Sequence, residues 1–177
     1  MDLTNRELWT ALHGMVFGAL FLLAFAGGLA ELWSLRPESV TVKGLRERML
    51  RLKAGVTGMA IVAWLTVITG TWIVYPWYRD VPPEGETELE KYPRYFLLDD
   101  PNLDAWHKFG MEWKEHVAWI APIVATAVAF IVLYYGHQLI VDKRLRLITM
   151  ALFVLAFAAA GVAALLGAFI TKAAPIT

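Results

Sequence analysis

Four histidines are the only imidazoles in this 177-residue chain, and it contains no cysteine. Two of them fall in one run, Trp106-His107-Lys108-Phe109-Gly110-Met111-Glu112-Trp113-Lys114-Glu115-His116, where a polar connection passes into an apolar helix. Without thiols the chain itself can form no disulfide, iron–sulfur cluster, thiolate nucleophile or covalent c-type haem link. Any metal must therefore be held by His, Met, Asp, Glu or Tyr. Imidazole nitrogens suit haem iron, and with a thioether they suit copper. The remaining histidines are His13, early in the first apolar stretch, and His137, near the end of the third.

The elements that must position these groups are legible from composition. Hydrophobic residues make up 58% and charged ones 18%, and mean hydropathy is +0.52, the balance of an integral membrane protein. Four apolar runs, near 8–33, 54–76, 113–138 and 147–171, each reach the roughly 20 residues that a helix needs to cross a bilayer. The expected fold is all-α, a single four-helix transmembrane bundle over residues 1–177, with 77–112 forming an outer lid. Thr4-Asn5-Arg6-Glu7 has the form of a capping box and predicts where the first helix starts. Arg36-Pro37 should end it, and Pro122 should kink the third helix one turn beyond His116. Residues 38–53 are expected to form a short amphipathic stretch on the membrane surface.

The formal charge is zero, yet the charges are segregated. Arg36, Lys43, Arg46, Arg48, Arg51 and Lys53 lie between the first two runs, and Lys143, Arg144 and Arg146 between the last two. The middle connection carries Asp80, Glu84, Glu86, Glu88, Glu90, Asp99, Asp100 and Asp104. The positive-inside rule then puts both termini and the acidic connection on the periplasmic side of an inner membrane, and the basic loops in the cytoplasm. Trp9, Trp72, Trp77, Trp106, Trp113 and Trp119 would form the outer aromatic belt. Ala24-Phe25-Ala26 resembles a signal cleavage site, but the leading segment is not basic, so the first helix is expected to be a retained anchor. Lipid and other membrane subunits are the expected partners, with a basic electron carrier at the acidic connection as a further one; no nucleic-acid partner is expected.

On a regular helix His13, Phe17, Leu20, Ala24, Gly27 and Glu31 share a stripe, expected to face inward because lipid cannot satisfy two such polar groups. Positions 116, 120, 123, 127, 130, 134 and 137 share another, with His116 and His137 at its ends. His13 and His116 then enter from the same side on parallel helices and could grip one flat macrocycle between them. Gly14, Gly18, Gly70, Ala118, Ala121 and Gly167 would supply small residues around a haem b, and Arg6, Arg79, Lys108, Lys114 or Lys172 would pair with its propionates. Plain helix packing explains Gly14 and Gly18 equally well. The rival is copper on His107, Met111 and His116, with Met111 otherwise core filler. Glu112 and Glu115 lack matching glutamates for a di-metal site. At the inner side Glu31 and His137 form either a structural pair or, with Tyr134, Tyr135 and Gln138, a quinone pocket.

Four helices with His13 on the first and His116 on the third resemble the small membrane cytochrome b subunits that anchor respiratory dehydrogenases. The resemblance implies a haem b electron-transfer subunit within a larger complex, exchanging electrons with quinone. The chain departs from the diheme members in lacking an inner histidine pair. Two functions are thus expected: a haem-b electron-transfer subunit of a respiratory or photosynthetic complex, or a non-catalytic accessory subunit that braces one.

Overall fold

The computed structural model describes residues 3–35 and 41–174, so the expected stop at Arg36-Pro37 lies outside the described residues. Helices dominate, and no strand occurs among the described residues. Among the described residues four helices are long and apolar enough to cross a membrane: Asn5–Ser34, Val42–Tyr78, Trp106–Tyr135 and Lys143–Ala173, here the first to fourth spans.

The first span begins where the sequence says it should. Thr4 Oγ1 accepts from the Glu7 amide at 3.2 Å, and Glu7 Oε2 accepts from the Thr4 amide at 2.7 Å, so two of the orphan amides at the helix start are satisfied. The second span begins earlier than predicted. Thr41 Oγ1 accepts from the Gly44 amide, and the helix runs unbroken from Val42, so the basic segment is its first turns and not a separate surface stretch. Met49, Leu52, Val56 and Met59 are buried at helical spacing, which explains the continuity. The third span also starts early, at Trp106. It breaks into turns at 117–119 before Ile120–Tyr135, as Pro122, whose ring nitrogen cannot donate, anticipates. In the fourth span Asp142 Oδ1 accepts from the Leu145 amide at 3.0 Å, and the helix starts at Lys143.

Three π-helical turns interrupt the spans: Leu12–Val16, Gly70–Val74 and Trp106–Met111. A π turn holds one residue more than an α turn, and every later position rotates by about 100°. This corrects the predicted stripe of the first span. The buried or stacked positions are Phe21, Phe25, Gly28 and Leu32, each one residue after Leu20, Ala24, Gly27 and Glu31. In the third span the predicted stripe is outward at every position, 116, 120, 123, 127, 130, 134 and 137, whereas Ala121, Ala125, Val128 and Val132 are buried.

The chain divides into two compact units, each drawing on all four spans. Unit 1 comprises 1–18, 65–119 and 160–177, and unit 2 comprises 19–64 and 120–159. In unit 1 the connection folds a helix, Pro93–Asp99, whose Leu97 is buried with Tyr78, Met111, Ile170 and Ala174; Phe96 packs against them. Leu97 is thus the main apolar anchor of the connection. In unit 2 Phe153 is fully buried, stacks on Phe25 and abuts Gly28. All three π turns lie in unit 1.

Candidate functional site

π turns inside longer helices concentrate at functional sites because the widened turn re-aims side chains. Each of the three in unit 1 contributes to a polar centre. His13 sits in the first, and its Nδ1 lies 2.8 Å from the Thr66 carbonyl oxygen and 3.4 Å from Thr69 Oγ1. A carbonyl can only accept, so Nδ1 carries the proton and Nε2 of the neutral ring is left with its lone pair. The Thr69 hydroxyl donates to Leu65 O at 2.7 Å, which leaves its oxygen free to accept from the imidazole. Beneath the ring is Gly70, in the second π turn. A Cβ there would stand 2.6 Å from His13 Cε1, so only glycine seats the imidazole in this position.

Lys114 repeats this arrangement on the other two spans. Its Nζ would lie 2.5 Å from a Cβ at Gly167, and its charge reaches His13. Among the described residues no carboxylate acts on this ammonium. The other cations proposed for the site behave differently. Arg6 pairs with Asp80 at 2.6 Å, Lys108 pairs with Asp104 at 2.5 Å, and exposed Arg79 donates to Tyr75 Oη at 3.3 Å and lies over its ring.

A second polar centre forms at His107, in the third π turn. His107 is buried, with Nδ1 2.9 Å from the Tyr78 hydroxyl. The charges of Glu115 and Arg94 both reach Tyr78 and His107. Arg94 Nε and Glu115 Oε1 are buried without a hydrogen-bond partner. Tyr78, Glu115 and Arg94 were missed as functional residues. The aromatic run Tyr75-Pro76-Trp77-Tyr78-Arg79 was the only available signal, and Arg94 comes from a connection whose docking the sequence does not reveal.

The remaining candidates are not gathered. His116 is 72% exposed and donates through Nδ1 to its own helix at Glu112 O, 2.8 Å away, with Glu112 Oε2 at 3.7 Å. Its ring therefore faces away from a bundle interior, while that of His13 rests on Gly70. Gly14 and Gly18 have open space where a Cβ would stand. Met111 is part of the apolar core around Leu97, as its core-filler reading had it. Among the described residues no group of three or more His, Asp or Glu could hold a metal ion. In unit 2 the expected Glu31–His137 pair is replaced: Glu31 Oε1 accepts from Arg51 Nε at 2.8 Å, and His137 is exposed because the helix ends at Tyr135. Tyr134 is exposed and stacks on Phe130. A cavity of about 510 Å³ in unit 1 is lined by Arg6, Asp80, Val81, Pro83, Lys91 and Tyr92, and by none of the histidines.

Fold and site together define an all-α chain with four candidate membrane spans and a polar centre in one of its two units. No family model, curated protein or solved structure matches it.

Proposed function

We propose that the chain is a membrane subunit of a larger respiratory or photosynthetic electron-transfer assembly, bracing its neighbours without clasping a haem between His13 and His116. One observation carries this reading. His116 and Glu112 turn outward from the third span, 72% and 50% exposed, where lipid offers neither donor nor acceptor. A neighbouring subunit over this face supplies the missing partners. Charge asymmetry supports the orientation: both termini and the acidic connection on the periplasmic side of the inner membrane, the basic segments in the cytoplasm. The connection is then an outer lid, open to a basic electron carrier. The electron-transfer class rests on the likeness to small cytochrome b subunits.

A second reading retains haem b. His13 and His116 each donate Nδ1–H to a backbone carbonyl, which leaves Nε2 of both rings available to iron. In this reading His116 ligates a haem at the subunit boundary, completed by the neighbour.

Extraction of the tagged chain from native membranes in mild detergent, native electrophoresis and a pyridine haemochrome assay test both. The bracing reading expects a large complex and a separated chain free of haem. Stoichiometric haem in the isolated chain, lost in His13→Ala or His116→Ala, would restore the bis-histidine site. Migration as a lone chain would sink the subunit proposal.

A further inference from the structure

The cavity of about 510 Å³ in unit 1 has the volume of a small-molecule site. Three stretches of chain wall it. Arg6 comes from the first turn of the first span, Asp80, Val81 and Pro83 from the strap that follows Tyr78, and Lys91 and Tyr92 from the short 3-10 turn Leu89–Lys91 and its cap. Arg6 Nη2 and Asp80 Oδ2, 74 residues apart in the chain, stand 2.6 Å apart and fasten the strap to the span. Every polar group in this wall is only partly used. Asp80 engages one end of the Arg6 guanidinium through Oδ2, and its Oδ1 has no partner among the described residues. Lys91 gives one ammonium proton to Glu88 Oε2 at 2.9 Å and keeps the others. The Tyr92 hydroxyl makes no hydrogen bond among the described residues.

An ion pair that borders a cavity presents opposite charges side by side, and its complement is a molecule that does the same in reverse. We infer that this cavity binds a phosphoethanolamine group, a phosphate ester that carries a primary ammonium on a short arm. The phosphate oxygens accept from Arg6, Lys91 and Tyr92, the first two through charge-assisted bonds. The ammonium donates to Asp80 Oδ1. A bare inorganic phosphate would leave Asp80 unmatched and meet only apolar wall at Val81 and Pro83. Two sources carry this group: a phospholipid head, since Arg6 lies at the end of a candidate span where head groups gather, and a soluble phosphoethanolamine ester. The site requires neither a haem nor a partner over His116, so its failure and the failure of the subunit proposal are separate events.

The test uses the full-length chain, delipidated in detergent, with native mass spectrometry and thermal unfolding as readouts. The probes are phosphatidylethanolamine, phosphatidylcholine, phosphatidylglycerol and soluble glycerophosphoethanolamine. One or both ethanolamine probes should bind saturably and raise the unfolding temperature. Phosphatidylcholine has no ammonium proton to donate and phosphatidylglycerol has no ammonium, so each should bind roughly tenfold more weakly, or worse, than the better ethanolamine probe. Tighter binding of the lipid assigns a membrane head group; equal or tighter binding of the soluble ester assigns the soluble source. Arg6→Gln and Lys91→Gln should each weaken the favoured probe by about tenfold or more, whereas Lys108→Gln, outside the cavity, should not. The Lys91 side chain is 63% exposed, so its replacement leaves the fold intact. Equal binding of the three lipids and the soluble ester to the wild-type chain overturns the proposal, as does saturable binding of neither ethanolamine probe. Undiminished binding to folded Lys91→Gln overturns it too.

Discussion

The hydroxyl of Tyr78 lies 2.9 Å from Nδ1 of His107, and both side chains are buried in unit 1. This contact ties the end of the second span to the π turn that opens the third. Tyr78→Phe should therefore keep the packing but leave the imidazole nitrogen unpaired, lowering stability by about 1 kcal/mol, the scale of hydrogen bonds between membrane helices. Unfolding in detergent measures this; an unchanged transition would mean that the bond is replaced by water or absent.

Gly70→Ala should be far more harmful than Gly18→Ala. The first places a methyl 2.6 Å from His13 Cε1, and the second meets nothing within 4 Å. Displacing the imidazole breaks its bond to Thr66, and overpacking of this kind costs about 1–3 kcal/mol. Comparable unfolding of the two variants would show that the imidazole does not rest on Gly70.

Unit 2 offers a control that includes none of the histidines of unit 1. Phe153 is fully buried and stacks on Phe25, with ring centroids 5.5 Å apart. Phe153→Ala should cost about 3–5 kcal/mol, as expected for removing a buried aromatic ring. The measurement is the same detergent unfolding curve, and a loss below about 1 kcal/mol would contradict the packing.

The connection should show a local pH dependence. Lys91 Nζ donates to Glu88 Oε2 at 2.9 Å; this holds the Glu88 carboxyl below its ordinary value of 4.5 and the Lys91 ammonium above its ordinary value of 10.5. A depressed acid stabilises the fold above its unfolded pKa, and that contribution is lost as pH falls through the folded value. A raised base stabilises below its unfolded pKa and loses the contribution as pH rises through the folded value. The pair is thus complete between about 4.5 and 10.5. By NMR titration Glu88 should move up toward 4.5 in Lys91→Ala; an unmoved midpoint would show that the pair does not persist in solution.

His116→Ala should leave the isolated chain as stable as wild type, within about 0.5 kcal/mol, because the ring is exposed and bonded only within its own helix. In native membranes the same variant should loosen the assembly. Unaltered migration on native gels would separate His116 from any interface.

Much of the architecture is legible in the sequence because length and apolarity alone decide whether a helix can span a bilayer. The capping box at Thr4 and Glu7 and the break ahead of Pro122 were equally readable, since both depend on groups a few residues apart. The orientation of the spans about their own axes was not. A helix that is apolar all round carries almost no signal of which side packs. The sequence reading therefore took its phase from His13, His116 and His137, and a π turn displaced the first stripe by one residue while the third came out reversed.

The same distinction divides the candidate site. His13, Gly70 and Lys114 were named from residue type and span position; unit 1 seats His13 on Gly70 and sets Lys114 against Gly167. His116 had the same credentials and lies outside. Residue chemistry determined, without any coordinates, that the chain can span a membrane and that imidazole and ammonium groups would be costly within it. Only tertiary packing decided which of those groups found a glycine seat and which turned outward, because that choice depends on helix rotation, set by contacts between residues far apart in the chain.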